Sequence, residues 1–271
     1  MQELLTTIRI SVSIGFLFFA SWSDYKTREV SNLVWVIYGP VALSLSFVGL
    51  LVYEPSRLPF FGLSFGVTTA IAILLFYSGG FGGADSKALM CLALALPFST
   101  EKLIPPLLPN GASPLAQNIF PLTIFSNAVL FAAASCIYLL LYNLAWHRKT
   151  GRKIFEGTLA KESALKKLAV FITGRRVPID QLKAKWHVYP MEDIENTDNE
   201  NQPKRKLIIL PKDEGRNEII TRLSNAIDTG KIDFYVWTTP GLPMLIFVTI
   251  GLLIALLFGD LVWVLISAIL V

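Results

Sequence analysis

The chain is poor in cysteine, histidine and charge. Its 271 residues include two cysteines, both in apolar stretches, which cannot form a structural zinc site by themselves and do not suggest a disulfide scaffold. The two histidines, His147 and His187, are far apart in sequence and have no neighbouring metal-ligand residues. Charged residues make up 16% of the chain, against about 25% in a typical soluble domain. The shortage is uneven, because residues 1–146 carry 12 charges, residues 147–239 carry 31 and residues 240–271 carry one. This pattern excludes a simple soluble enzyme and a disordered chain.

The parts of the chain that are poor in charge contain long apolar runs. A helix needs about 20 apolar residues to cross a bilayer, and runs of this length without alternation exclude a β-barrel. Five stretches meet or approach that length: Leu4–Trp22, Leu33–Tyr53, Leu58–Ser78, Pro121–Trp146 and Pro240–Gly259. A sixth, Ser86–Ile104, is shorter, since Glu101 and Lys102 fall near its end and two prolines follow. We predict an all-α polytopic membrane protein with six transmembrane helices and a small cytoplasmic α+β domain inserted between helices 5 and 6.

The positive charges predict the orientation. Six crossings place loops 23–32, 79–85 and 147–239 on one side, where 11 basic residues lie close to helix ends, against three on the other side. Basic residues mark the cytoplasmic side, so both termini are expected outside the cell. The predicted domains are a membrane domain (1–146), a cytoplasmic insert (147–239) and the last span with the C-terminus (240–271). Orientation accounts for the net charge of +4 without a nucleic-acid partner.

The insert has its own pattern of elements. Apolar spacing predicts helices over Glu156–Ile172 and Glu214–Asp228. The apolar face of the first helix consists of Leu159, Leu165, Leu168, Ala169 and Ile172, and lysines lie on its other face. Short strands are expected in three places, and the polar stretch Met191–Lys206 between two of them is expected to be a loop. The predicted strands are Trp186–Tyr189, Leu207–Leu210 and Ile232–Trp237.

Residues 1–146 contain two aspartates, Asp24 and Asp85, each at a predicted cytoplasmic helix end. Ionisable groups at membrane depth are expensive and usually functional. Asp85 follows four glycines within five residues, Gly79-Gly80-Phe81-Gly82-Gly83. Such a run breaks a helix and leaves backbone N–H groups free beside the carboxylate. Both aspartates could instead be solvated loop residues, and Asp85 an ordinary helix cap.

A close pair of carboxylates has a defined chemistry. One carboxyl stays protonated and polarises a peptide carbonyl, while the other takes a proton from water. This chemistry needs neither a metal nor a nucleophilic side chain, and we expect no cofactor.

Two runs of residues carry a resemblance to a known family. They are Asp24-x-Lys26-x-Arg28-x-Val30-x-Asn32 and Gly82-Gly83-Ala84-Asp85-Ser86-Lys87-Ala88. They resemble the two signatures of the GxGD membrane aspartic proteases, most closely those of archaeal preflagellin peptidases, relatives of type IV prepilin peptidases. The six-span layout and the proline-rich entry into the last span are also similar. The resemblance covers most of the membrane part of the chain and little of the insert.

The resemblance implies roles for particular residues. The implied catalytic pair is Asp24 and Asp85, the implied active-site loop contains Gly82, Gly83, Ala84 and Lys87, and the residues that complete the first signature are Lys26, Arg28 and Asn32. From the residues alone, the basic side chains could simply set the membrane orientation and Asn32 could cap a helix. Ala84 departs from the pattern, which has glycine at that place, so glycine is not expected to be essential there.

The resemblance also implies substrates and excludes a second activity. The expected substrates are preflagellins and pilin-like precursors with short, basic class III signal peptides, and the other expected partner is the lipid bilayer. Acidic side chains such as Glu29 are expected to help bind the basic leader. Many bacterial relatives carry a four-cysteine zinc segment and methylate the new N-terminus. The short loop 23–32 has no cysteine, so we expect no zinc and no methyltransferase activity.

Two other functions fit parts of the pattern. A secondary transporter would use Asp24 and Asp85 as ion or proton sites, because glycine-broken helices beside carboxylates are also typical of transporters. Both aspartates lie at the predicted rim rather than at mid-depth, which disfavours this hypothesis. A non-catalytic anchor presenting segment 147–239 would tolerate the loss of both aspartates.

Overall fold

The computed structural model describes residues 1–79, 81–101, 103–108, 111–195, 204–209, 215–240 and 243–270. Contacts divide the chain into two compact units, Met1–Ala132 with Pro243–Val271, and Ala133–Leu242. Lys102, Leu210, Glu214, Gly241 and Leu242, on which some of the predictions above fall, lie outside the described residues.

The elements in chain order are helices first, then a mixed segment, then helices again. They are α1 (Gln2–Thr27), α2 (Asn32–Tyr53), a 3₁₀ turn (Pro55–Arg57), α3 (Leu58–Tyr77), α4 (Gly83–Ala95), α5 (Pro114–Asn118), α6 (Phe120–Thr150), a second 3₁₀ turn (Gly157–Lys161), α7 (Ala164–Thr173), β1 (Arg175–Pro178), α8 (Ile179–Ala184), β2 (Val188–Pro190), β3 (Glu192–Glu195), β4 (Lys204–Leu207), α9 (Arg216–Asp228), β5 (Tyr235–Pro240), α10 (Met244–Leu257) and α11 (Leu261–Leu270). The described chain is therefore mostly helical with a small sheet region, as the coarse fold prediction states.

The first unit is a bundle built around α1, α2, α4 and α10. Its main core includes Leu17, Tyr38, Leu92 and Leu252, all buried. Several buried hydroxyl groups connect the helices of the bundle through hydrogen bonds. Ser21 on α1, for example, donates its hydroxyl to the Leu245 carbonyl of α10 at 2.9 Å. This hydrogen bond joins the carboxyl-terminal half of α1 to the start of α10.

Four helices of the described chain are long and apolar enough to cross a membrane: Gln2–Thr27, Asn32–Tyr53, Pro55–Tyr77 and Phe120–Thr150. The bent pair α10 and α11 adds a fifth if it forms one span, with an angle of 62° between the two helices. At the break, buried Asp260 accepts the Ser113 hydroxyl at 2.7 Å and the Trp263 N–H at 3.1 Å. Asp260 thus caps the start of α11. The predicted last span, Pro240–Gly259, ends at this break, and the helix α11 that follows it was not predicted.

The helix predicted over Ser86–Ile104 is shorter than expected. It begins at Gly83 and ends at Ala95, nine residues before the predicted end. Pro97 is the physical reason, because a proline disfavours helical geometry in the preceding residue and has no N–H to continue the ladder. Leu96 accordingly leaves the helical region, with φ −131° and ψ 65°. At 1.5 Å per residue, 13 residues rise about 20 Å, less than the hydrocarbon thickness.

The second unit contains two small antiparallel sheets. In the larger sheet β5 lies between β1 and β2, and in the smaller sheet β3 pairs with β4. One core packs α8 and α9 against the larger sheet through residues such as Leu182, Leu223 and Val236. A second core surrounds Trp237 and includes Leu159 and Val170. The carboxyl-terminal part of α6 belongs to this unit.

The helix predicted over Glu156–Ile172 is wrong as a single element. A 3₁₀ turn and α7 replace it, because the Ser163 hydroxyl accepts the Lys166 N–H and starts a new helix. The predicted core face is also wrong in part, since Val170 is buried while Leu165 and Leu168 are exposed.

The predicted loop Met191–Lys206 contains strands β3 and β4, and this is a further correction. Its polar composition predicts a loop, but Glu192 and Arg205 are buried and paired with each other at 2.6 Å. The predicted strand Leu207–Leu210 shares only Leu207 with β4. The other strands and α9 occur close to their predicted places, shifted by one to three residues where both ends are described. Strand β1 and helix α8 were not predicted.

Candidate active site

Asp24 lies in the last turn of α1 and is partly buried. Its carbonyl accepts the Arg28 N–H at 2.9 Å, and this bond closes the helix. Arg28 itself adopts the left-handed conformation, with φ 59° and ψ 20°. Side chains other than glycine and asparagine rarely occupy that position at a helix end, because Cβ crowds the backbone there. Strained backbone of this kind concentrates at functional sites.

The turn that follows is tied back to α1. The Ser23 hydroxyl donates to the Glu29 carbonyl at 2.7 Å, and the Thr27 hydroxyl lies 3.0 Å from the same oxygen. Ser31 then caps α2, because its side chain accepts the Leu33 N–H. The alternative interpretation of Asn32 as the helix cap is therefore wrong. Sequence reasoning missed Ser23 and Thr27, although serine and threonine around a helix end are a usual signal for such bonds.

The glycine run after α3 brings the chain to Asp85. Gly79 has φ +76°, which lets the chain leave α3 in a left-handed turn. Asp85 lies in the first turn of α4, and its Oδ2 atom accepts the Gly82 N–H at 3.0 Å. The interpretation of Asp85 as a cap is thus correct as geometry. The bond also fixes the orientation of the carboxyl group.

Gly82 lies so close to Asp85 that a side chain would disturb it. A Cβ atom built at Gly82 would lie 3.0 Å from Asp85 Oδ2, whereas one at Gly83 would make an ordinary contact of 3.7 Å with the Phe76 ring. Ala84 is partly buried and packs against the main core of the first unit. The alanine that departs from the family pattern therefore has room for its methyl group.

The two signatures meet in the structure. Lys87 Nζ, in α4, donates to Asn32 Oδ1, at the start of α2, at 2.6 Å. Helices α1 and α4 contribute Ala20 and Ala88 to the same buried cluster. The residues predicted for the site thus lie at neighbouring helix ends. Lys26 is exposed and Arg28 partly buried at the end of α1.

The environment of Asp85 favours its protonated form. Burial raises the pKa of this carboxyl to about 7, while the Gly82 N–H acts to lower it and the charge of Asp24 acts to raise it further. A carboxyl with this pKa is partly protonated near neutral pH. The arrangement can therefore present one carboxylic acid and one carboxylate from different helices, which is what acid–base hydrolysis by a carboxyl pair requires.

Metal ligands do not cluster in the described part of the chain, where no group of three or more His, Cys, Asp or Glu side chains could hold an ion. Cys91 and Cys136 are both free, the first buried and the second partly buried.

Comparison with known proteins gives the same family for both parts of the chain. Residues 11–142 match the model of the type IV leader peptidase family, and residues 166–261 match the archaeal peptidase A24 C-terminus, type II. The first match includes both aspartate signatures.

Individual relatives align over most of the chain. A preflagellin peptidase of Methanococcus voltae is 27% identical over 259 residues, covering 93% of this chain and 96% of the relative. An uncharacterized protein of Methanocaldococcus jannaschii is 26% identical, covering 89% and 91%. A preflagellin peptidase of Methanococcus maripaludis is 23% identical, covering 90% and 92%. With membrane-length helices in the first unit, these matches show that the chain belongs to the type IV leader peptidase family of signal-peptide-processing proteases.

Proposed function

We propose that the chain is a membrane-embedded aspartic endopeptidase in which Asp24 and Asp85 form the catalytic pair. The observation that carries this proposal is the meeting of the two signatures through the Lys87–Asn32 hydrogen bond. That contact holds the start of α4, and so Asp85, beside the turn that follows Asp24. The hydrogen bond joins residues that are 55 positions apart in sequence. It therefore supports the interpretation of the two signatures as parts of one site.

In the proposed reaction Asp85 begins protonated and Asp24 ionised. Asp24 takes a proton from a water molecule, whose oxygen attacks the carbon of the scissile peptide. Asp85 gives its proton to the carbonyl oxygen as the tetrahedral intermediate forms. Collapse of the intermediate breaks the C–N bond, with a proton passing from Asp24 to the departing amine and one returning from the intermediate to Asp85. Both carboxyl groups then have their starting states, as in other aspartic proteases.

The neighbouring residues would position this pair. Gly82 orients the Asp85 carboxyl through its N–H, while Gly83 and Ala84 keep the loop narrow enough for a substrate backbone to approach. Lys87 and Asn32 connect the two signatures. Arg28 shapes the turn after Asp24 through its left-handed conformation, and exposed Lys26 contributes to the positive charge of the cytoplasmic side.

The proposed substrates are preflagellins and pilin-like precursors with short, basic class III signal peptides. The name of the Methanococcus voltae relative, preflagellin peptidase, supports this choice. A precursor whose apolar segment stays in the bilayer and whose charged leader stays in water has its scissile bond at the interface. The exposed Glu29 side chain would attract the basic leader. No zinc and no methyl transfer enter this proposal.

The proposed location is the cell membrane, with the site and segment 147–239 on the cytoplasmic side and both termini outside. The distribution of basic residues supports this orientation. It requires six crossings, so that α4 with the chain up to Ile104 makes one short crossing and the bent pair of α10 and α11 makes the last.

The test is to replace each aspartate by asparagine, which keeps the shape and removes the acid. Asp24→Asn and Asp85→Asn should each lower cleavage of a preflagellin in proteoliposomes by at least about a thousandfold, since members of a catalytic unit fail singly. The matched control is Asp228→Asn, at an exposed position on α9, which should retain full activity. Cleavage at the wild-type rate by either aspartate variant, with equal membrane insertion, would refute the aspartic mechanism.

A further inference from the structure

Helix α7 exposes two leucines that no contact within the second unit covers well. Leu165 is 79% exposed and Leu168 is 55% exposed. They are three residues apart, so they lie on one face of the helix. The opposite side of α7 supplies Val170 to the core around Trp237. An exposed apolar stripe of this kind on a helix marks a surface that meets something else.

The end of α7 is anchored to a membrane-length helix. Asn143 of α6 is buried and donates through Nδ2 to the carbonyls of Phe171 and Gly174, both at 2.7 Å. Asn143 lies within the apolar stretch predicted to span the membrane, Pro121–Trp146, three residues before its cytoplasmic end. The last turn of α7 is therefore at the depth of the membrane boundary.

Helix geometry limits how far the leucines can lie from that boundary. Three residues correspond to about 4.5 Å of rise, so Asn143 lies about that far inside the level of Trp146. Leu168 is three residues from Phe171 and Leu165 is six, or about 4.5 Å and 9 Å along α7. Even if α7 pointed straight away from the bilayer, Leu168 would be level with Trp146 and Leu165 about 4.5 Å beyond it. The stretch Pro121–Trp146 rises about 39 Å, against about 30 Å of hydrocarbon and about 40 to 45 Å for the whole bilayer. A centred span places Asn143 at the hydrocarbon boundary and Trp146 about 4 Å into the headgroup layer. In this extreme orientation Leu168 lies within the headgroup layer and Leu165 at its outer edge, and any tilt of α7 toward the bilayer brings both leucines deeper.

The charge around α7 suits an anionic headgroup layer. Residues 147–168 contain seven lysines and arginines and two glutamates. Glu162 pairs with Lys166 at 3.2 Å and Glu156 with the buried Arg176 at 3.7 Å. Lys161 is exposed one turn before α7, and basic residues near a membrane surface are attracted to anionic lipids.

We propose that α7 is an interfacial helix, with Leu165 and Leu168 inserted among the upper acyl chains and the neighbouring basic side chains on anionic phospholipid headgroups. The partner is the lipid surface itself. The inference concerns the second unit and stands independently of the proposed proteolysis.

The experiment measures the depth of spin labels in the full chain. Leu165→Cys and Leu168→Cys are made separately in a Cys91→Ala, Cys136→Ala background, with Asn225→Cys, exposed on α9, as the matched control. Each protein is reconstituted into phosphatidylglycerol–phosphatidylcholine vesicles, and collision rates with oxygen and with a water-soluble nickel chelate are recorded. The labels at 165 and 168 should collide with the nickel chelate several times less often than the label at 225. They should collide with oxygen several times more often. Nickel access equal to that of the control would overturn the proposal. The exposed leucines would then be assigned to contact with another protein.

A second arm tests the charge. The same labels are measured in vesicles of phosphatidylcholine alone, where the basic side chains have no anionic headgroups to meet. The labels should lie shallower there, with nickel access rising severalfold. Equal depth in both vesicles would overturn the part of the proposal that assigns anionic lipid to the basic side chains.

Discussion

Two carboxylate sites, one in each unit, have opposite surroundings. In the second unit Glu192 faces Arg205 at 2.6 Å, and Asp193 accepts from Arg222 through Nε and Nη2, both at 3.0 Å. In the first unit the carboxyl of Asp85 accepts a backbone N–H, and the other nearby charge that bears on it is the negative charge of Asp24. In the second unit each of these carboxylates thus belongs to an ion pair with a guanidinium group, and the pairs connect separate elements. At Asp85 the influences are a backbone N–H and the charge of a second carboxyl group, which is the arrangement that the proposed proton exchange would use.

The largest effect on stability is expected at the paired carboxylate. Arg205→Ala should destabilise the protein by about 3–5 kcal/mol, because it leaves the fully buried Glu192 without its cation. Burial already raises the pKa of Glu192 despite the attraction of Arg205. Thermal unfolding in detergent measures the loss, and Arg205→Ala with Glu192→Leu should recover much of it.

The control for that prediction lies one residue away. Lys204 and Glu195 form an exposed pair at 2.9 Å in the same two strands, and exposed pairs contribute little. Lys204→Ala should therefore leave the unfolding temperature unchanged. Equal losses for Lys204→Ala and Arg205→Ala would contradict the distinction between buried and exposed pairs.

The pH dependence of cleavage tests the proposed sharing of a proton between Asp24 and Asp85. Because the pKa of Asp85 is raised to about 7, the protein loses the required acid as the pH rises through that value. Cleavage should fall about tenfold per pH unit above it, and should also fall at low pH when the second carboxyl is protonated. The measurement is kcat/KM for a precursor between pH 5 and 9. A flat profile from pH 6 to 8 would rule out Asp85 as the acid.

The contact between the signatures is expected to have a smaller effect. Lys87→Met keeps the length of the side chain and removes the donor to Asn32, so the two helix ends lose their 2.6 Å connection. A misplacement of about 1 Å lowers rates by up to about a hundredfold, and kcat should fall by about ten- to a hundredfold.

A double-mutant cycle distinguishes this role from a general effect of charge. Asn32→Ala should lower kcat as much as Lys87→Met, and the double variant should be no worse than either. Asn32→Asp keeps an acceptor for Lys87 and should retain activity. Additive losses would show that the two residues act separately.

The smallest expected effect concerns the glycine loop. Gly82→Ala places a Cβ 3.0 Å from Asp85 Oδ2 and should shift that carboxyl, while Gly83→Ala meets only a ring atom at 3.7 Å. A tight contact of this size is expected to cost about 1 kcal/mol, or roughly fivefold in kcat/KM. Gly83→Ala, measured in the same cleavage assay, should stay near the wild-type rate. Equal activity of the two variants would mean that Asp85 Oδ2 has room to move.

Some features of the fold and of the candidate site could be predicted from the sequence. The long apolar runs gave the helices of the first unit because periodicity and length are local properties, and the two aspartates were conspicuous because that part of the chain has so few charges. The family match agrees with the signatures around them.

Other features depend on contacts between distant residues. The Lys87–Asn32 bond joins positions 55 apart, and the buried pair of Glu192 and Arg205 made two strands resemble a polar loop. The early end of α4 could have been predicted from Pro97. It was missed because apolar residues continue on both sides of this proline and suggest a longer helix. The exposed leucines of α7 misled the prediction because an apolar spacing shows which side chains share a face of a helix and not whether the rest of the chain covers that face.

The early end of α4 has a mechanical consequence. Its last carbonyl, on Ala95, accepts the Ser46 hydroxyl of α2, and the Pro97 carbonyl accepts the Ser64 hydroxyl of α3 and the Phe120 N–H. The carboxyl-terminal end of α4 is thus connected to three separate parts of the bundle, and sliding the helix along its axis would break all of these bonds together. Any adjustment that brings Asp85 to a substrate is therefore expected in the backbone of Gly82 and Gly83, while the rest of the helix keeps its position.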